Sequence, residues 1–285
     1  MSAAPMSFSL ALAAGCLVLV ACATQSGSSP KLPQTDAPTA AAIDAALAGA
    51  HRSEANRARD VYRHPKQTLT FFGLRQDMTV VEVWPGAGGW YTEVLAPVLK
   101  EHGRYYAAEV AADPTSKNVT GTRDSYQKKL DSNPDVYGKV IVTGLGPDSM
   151  EIAPPASADL VVTFRNIHNW MGRDWAPKAF QAMYAALKPG GVLGVVEHRG
   201  NPSVPQDPKA MSGYVNQDFA IQLIESVGFK LIDKSEINAN PRDTKDYEKG
   251  VWTLPPVYRL GDQDRAKYAA IGESDRMTLK FVKPR

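Results

Sequence analysis

Beyond Cys22 the chain contains no cysteine. The folded part therefore has no disulfide, no thiolate zinc site and no cysteine nucleophile. Other absences narrow the chemistry further. There is no Gly-x-Ser-x-Gly elbow for a serine hydrolase, and no Walker loop follows any strand-like run. The histidines, His51, His64, His102, His168 and His198, include no pair at helix-face ligand spacing, so no metal is assigned. No apolar run reaches the roughly 20 residues of a bilayer-spanning helix. Acids and bases are interspersed and the net charge is only +2, so there is no basic groove and no nucleic-acid partner is expected. No internal repeat is visible.

What is present suffices for a substantial core: 44% of 285 residues are hydrophobic, enough for one large domain or two small ones. Phe8 to Ala23 is apolar and fits the hydrophobic part of a secretory signal. Within it, Leu19-Val20-Ala21-Cys22 resembles a bacterial lipoprotein cleavage box, which implies lipidation at Cys22. The same residues also fit an ordinary signal peptide, an uncleaved anchor or a misassigned start. On the lipoprotein reading, residues 1–21 are the signal. Residues 22–38, rich in Ser, Thr, Gln, Gly and Pro, are a flexible tether. Residues 39–285 are the domain. The expected location is the bacterial envelope, lipid-anchored and facing the periplasm; a misassigned start would leave the protein cytoplasmic.

The domain is organised around Thr79–Val98. Val80-Val81-Glu82-Val83-Trp84 is an apolar run of β-formers broken by one carboxylate, the pattern of a parallel strand buried on both faces. Pro85-Gly86-Ala87-Gly88-Gly89 permits a sharp turn and close approach to a ligand. Thr92 to Lys100 has helical spacing, with Pro97 as a point of strain. Strand, glycine turn and helix open a nucleotide-binding α/β sheet. A dinucleotide motif is excluded, because Tyr91 stands where Gly-x-Gly-x-x-Gly needs its third glycine.

Before this unit, residues 39–60 have the pattern of one helix. It ends at Tyr62-Arg63-His64-Pro65, whose polar residues either face a ligand carboxylate or form a solvated helix end. Gly103–Val110 is a second strand ending in Glu109, about 20 residues past the glycine turn, where doubly wound sheets place a ribose-binding acid; a surface carboxylate is the alternative. Lys139–Thr143 is a third strand. Asp159–Phe164 is a fourth, and it ends in Arg165-Asn166-Ile167-His168-Asn169-Trp170. Ligands of open α/β sheets lie beyond the carboxyl ends of strands. His168 there has the pKa range to take a proton, and Asn166 can orient a group through its amide; alternatively His168 and Asn169 cap a turn. Leu187-Lys188-Pro189-Gly190-Gly191 stops a helix and feeds a fifth strand ending in Glu197-His198. That pair either joins His168 around a metal or is a satisfied strand end. Residues 201–216 are a loop over the site, 238–274 is a long polar stretch of a length more often functional than filler, and 277–282 is the closing strand.

Glu82–Gly88, Glu109, the fourth-strand end and Leu187–Gly191 together resemble class I S-adenosylmethionine-dependent methyltransferases, and specifically a bacterial predicted-methyltransferase group with export signals. Trp84 occupies the usual place of the family's first glycine. The resemblance implies an α/β, doubly wound, Rossmann-like sheet of seven mostly parallel strands, order 3-2-1-4-5-7-6, the last antiparallel. It implies methyl transfer from S-adenosylmethionine to a small-molecule acceptor. Glu82, Trp84, Gly86, Gly88, Tyr91 and Glu109 would bind the cofactor, with an aromatic face of Trp84 or Tyr91 toward the sulfonium. His168 and Asn166 would be catalytic. The alternative is an envelope-anchored binding protein of the same fold without transfer activity.

Overall fold

Along the chain, α1 (Ala37–Ala48) precedes three short helices, α2 (Glu54–Arg57), α3 (Asp60–Arg63) and α4 (Pro65–Phe72). β1 (Thr79–Val83), α5 (Thr92–Leu99), β2 (Arg104–Val110), α6 (Lys117–Asp131), α7 (Pro134–Tyr137) and β3 (Ile141–Leu145) follow. β4 (Ala158–Phe164) leads through α8 (Ile167–Met171) and α9 (Ala176–Ala186) to β5 (Leu187–His198). α10 (Gln217–Ser226), β6 (Lys230–Ser235), a 3-10 turn at Gly250–Thr253, α11 (Arg265–Ile271) and β7 (Arg276–Val282) complete the order. This computed structural model describes residues 1–4, 32–112 and 116–285. The expected signal segment, with Cys16 and Cys22, lies outside the described residues. No helix among the described residues is long and apolar enough to cross a membrane.

The strands form one sheet in the order β3-β2-β1-β4-β5-β7-β6. β1 to β5 pair in parallel, and β7 runs antiparallel to both β5 and β6. This is the expected doubly wound α/β sheet. Strand order reverses between β1 and β4, which makes their carboxyl ends the switch point where such sheets bind ligands. Each face of the sheet buries its own apolar layer. Val80 lies with α1, α4 and α5, while Val81 and Val83 lie with α8, α9 and α10. Alternation along the strand thus serves two cores at once.

Several boundaries differ from the sequence expectation. The compact unit comprises Leu32–Arg285. The Asp36 carboxylate caps α1 by accepting from the Thr39 amide, and the Pro33 carbonyl packs on Gly73. The helix expected over 39–60 stops at Ala48. Arg52 is buried, and turning there brings it to Asp60 at 2.7 Å and Glu93 at 3.4 Å. Pro97 sits inside α5 and has no N–H for the Glu93 carbonyl; the His51 ring, 2.7 Å away, takes that carbonyl instead. β3 lies two residues later than expected. The long stretch before β7 is tied down by polar contacts, with the Asp243 carboxylate accepting from the Tyr214 hydroxyl and the Asp275 amide.

α4 reaches the sheet because Gly194, in β5, has no side chain. A Cβ there would lie 2.6 Å from the Phe72 ring. Gly194→Ala is expected to destabilise the fold by about 1–3 kcal/mol, read as a lower urea midpoint with unchanged slope.

Candidate active site

The glycine turn begins with a strained residue. Trp84 has φ 54° and Gly86 φ 73°, both in the left-handed region, which costs a tryptophan but not a glycine. The Trp84 indole N–H donates to the Leu145 carbonyl at 3.1 Å, and its ring packs against Trp170 and Trp175, with Arg173 over it. The side chain therefore lies against the α8–α9 side of the sheet. Nothing lies within 4 Å of the Cβ positions of Gly86 and Gly88, so the turn faces open space.

Two carboxylates support this turn differently. Glu82 is buried beneath it, accepting from the Tyr105 hydroxyl at 2.5 Å and the Thr92 hydroxyl at 3.4 Å. Thr92 in turn shares a hydrogen bond with Tyr126 at 3.0 Å. Glu82 thus joins β1, β2, α5 and α6 rather than meeting a ligand. Burial pushes its pKa up to about 7, and the Glu109 charge adds to the rise, while the Tyr105 and Thr92 hydroxyls oppose it. Glu109, at the end of β2, is 1% exposed, and neither of its carboxylate oxygens has a hydrogen-bond partner among the described residues. Burial raises it also to about 7; the nearby Val110 and Gly86 amides, which point toward it without reaching hydrogen-bond geometry, and Arg123 oppose the rise.

Tyr91 is not on the open side of the turn. It is buried, stacks on Phe164 with ring centroids 3.5 Å apart, and donates to the Arg63 carbonyl. One face of its ring is thereby covered by Phe164, and Trp90 stands edge-on to it.

At the end of β4, the Asn166 amide donates to the carbonyls of Val83 (3.0 Å) and Trp84 (3.3 Å) and to the Thr163 hydroxyl (3.1 Å). Its amino group is thereby committed to holding β4 to the start of the glycine turn, a positioning task rather than contact with a reacting atom. His168 lies in α8, with Nδ1 3.1 Å from Glu197 Oε1. Glu197 is wholly buried and also accepts the Ile167 amide at 2.6 Å and the His198 amide at 2.7 Å. A carboxylate so placed holds the proton on Nδ1 and leaves Nε2 of His168 as a base. His198 Nδ1 lies 2.5 Å from the Ser274 hydroxyl. Burial, then the charges of His168, Arg276, Arg165 and Arg63, keep His198 well below the usual imidazole range, hence neutral.

His168, Glu197 and His198 offer ligand atoms within 4.8 Å of one another. Glu197, however, is already filled by three donors, and the nearby arginines repel a dication. The trio has the chemistry of an oriented base rather than of a metal centre. Sequence reasoning offered Arg63 and Arg165 as candidates but missed that Arg276 joins them. Arg63 is 4% exposed, so it is not part of a solvated helix end, and it lies near Arg276, which opens β7 some two hundred positions later.

No protein-family model and no curated protein sequence matches the chain. Solved structures do match. An S-adenosylmethionine-dependent methyltransferase from Aquifex aeolicus is 15% identical with TM-score 0.53, over 79% of this chain and 93% of that one. The [4+2]-cyclase SpnF is 13% identical with TM-score 0.54, over 89% and 99%. Phosphoethanolamine N-methyltransferase 2 of Haemonchus contortus, in complex with S-adenosyl-L-methionine, is 16% identical with TM-score 0.52, over 79% of this chain and 53% of that one. At these identities the likeness establishes the fold, which is that of the class I methyltransferases.

The two raised carboxyls set a pH dependence. A carboxyl at about 7 in the fold and near 4.5 when unfolded keeps its proton longer in the native state, so its stabilising effect is lost as pH rises through 7. Glu82→Gln removes one such titration. Between pH 5 and pH 8 its stability relative to wild type is expected to rise by about 2–3 kcal/mol, measured by urea unfolding at both pH values.

Proposed function

We propose that the chain is an S-adenosylmethionine-dependent methyltransferase acting on a small-molecule acceptor. The observation that carries this reading is Glu109: a buried carboxylate whose oxygens have no hydrogen-bond partner among the described residues, at the end of β2, beside the glycine turn. Two ribose hydroxyls are the donors such a group lacks, and the bare Gly86 and Gly88 admit a ligand close to the backbone. The residues present fit the group. When bound, S-adenosylmethionine supplies an electrophilic methyl on a sulfonium.

The chain's own contribution is alignment and a base. Glu82 sets the turn from below, and Asn166 fixes the β4 end against it. His168, its ring held by Glu197, accepts the proton of a hydroxyl or amine acceptor at Nε2. Trp252 lies edge-on to His168 and Tyr214 edge-on to His198, which shields the base from water.

Trp84 favours a second reading, an envelope-anchored binding protein of this fold, because a strained indole stands at the first glycine position. Calorimetry on the purified chain separates the two. S-adenosylhomocysteine is expected to bind more tightly than millimolar, or at least roughly 4 kcal/mol; weaker binding ends the enzyme reading. Glu109→Ala is expected to weaken it by about tenfold to a hundredfold. His168→Gln is expected to leave that affinity within about twofold while transfer of labelled methyl into a small-molecule extract falls by about a hundredfold.

Export and lipid attachment belong to the same proposal and rest on the Leu19–Cys22 box. Palmitate labelling of the full chain, abolished in Cys22→Ala, is the expected result.

A further inference from the structure

Four guanidinium groups, from Arg59, Arg63, Arg165 and Arg276, gather beside the histidines. Glu273 is the carboxylate that meets them: it contacts Arg59 at 2.5 Å, Arg63 at 3.7 Å, and Arg276. The cluster keeps a surplus of positive charge in a mostly buried place. Its donors are in surplus too. Nε and Nη1 of Arg63 and Nε of Arg276 are buried without a hydrogen-bond partner among the described residues. The Arg165 side chain, half-buried, makes no hydrogen bond or ion pair among the described residues, and its backbone is held at φ 63°. Burial and mutual repulsion draw Arg165 down to about 10 and Arg63 well below the arginine range. Buried charges normally come paired, and a strained non-glycine residue at a strand end marks a functional position.

We propose that Arg63, Arg165 and Arg276 bind a carboxylate or phosphate group carried by the methyl acceptor. This deepens the methyltransferase reading and rests on it. A guanidinium fork matches such an oxyanion in two directions at once. The location separates this group from the cofactor's adenosine. Glu109 and the glycine turn stand at the ends of β2 and β1. Arg165 follows β4, and Arg276 opens β7 directly opposite His198 of β5. An oxyanion here would hold the acceptor on the histidine side of the switch point. A cavity of about 440 Å³, lined by Tyr62, His64, Arg242, Glu273 and Ser274 among others, borders the cluster at Glu273.

Inorganic phosphate is the probe, titrated into the full chain saturated with S-adenosylhomocysteine, with chloride at equal ionic strength as control. Phosphate is expected to bind in the millimolar range, roughly −4 kcal/mol, and Arg165→Gln to weaken it at least about tenfold. Arg165→Lys, which keeps the charge and loses the fork, is expected to fall between. An unchanged thermal midpoint without phosphate shows that the variants fold, and Arg63→Gln provides the same comparison if one does not. Absence of phosphate binding, or equal binding by wild type and Arg165→Gln, overturns the proposal. So does loss of S-adenosylhomocysteine affinity in Arg165→Gln with retained binding of 5′-methylthioadenosine, because the cluster would then serve the cofactor's own carboxylate. Failure of wild type to bind S-adenosylhomocysteine overturns the methyltransferase reading, and with it the acceptor assignment, whatever phosphate does.

Discussion

The site depends on a carboxylate buried beneath the glycine turn. Glu82 lies one residue from the end of β1, between two valines, in a layer that excludes water. A charge there is costly unless hydroxyls surround it, and Tyr105 and Thr92 do so, with Tyr126 behind Thr92. Each of these residues comes from a different element. The cost of burying Glu82 is therefore offset only when β1, β2, α5 and α6 are all in place. The glycine turn that leaves β1 starts from this clamp, and its position relative to Glu109 follows.

A second carboxylate organises the other side of the switch point. Glu197 takes the amides of Ile167 and His198 and the ring of His168. It thereby starts α8 and orients the base in one arrangement. The arginine cluster lies at the same edge of the sheet, from the end of β4 to the start of β7, and there the balance is reversed and positive charge exceeds negative. Parallel strands all deliver their polar carboxyl ends to one edge of the sheet, so charges that are far apart in the chain meet there. Their mutual perturbation, visible in His198, Arg63 and Arg165, is what a binding and reaction site uses.

Much of the fold was legible in the residues. The apolar runs, the glycine turn and the Pro-Gly-Gly at the start of β5 are local signals, because strand and turn preferences act over a few residues. Glu109 was legible through spacing, since one βα crossover has nearly constant length. The break after Ala48 was not, because it follows from burying Arg52 against Asp60 and Glu93, a contact that pattern does not show. The surroundings of Tyr91 were hidden for a similar reason: nothing in Trp90-Tyr91-Thr92 announces that Phe164, seventy residues on, will stack on it. Nor did the sequence show that the Asn166 amino group bonds the Val83 and Trp84 carbonyls and the Thr163 hydroxyl.

The sequence alone determined the class of sheet, the glycine turn after β1 and the presence of a histidine just past the end of β4, since each is written in residues close together along the chain. Tertiary structure decided which ring nitrogen of His168 is free, that Trp84 leaves the turn open, and that Arg63, Arg165 and Arg276 meet. Those outcomes are set by Coulomb and hydrogen-bond contacts between distant segments, which act over a few ångströms in space and carry no signature in sequence separation.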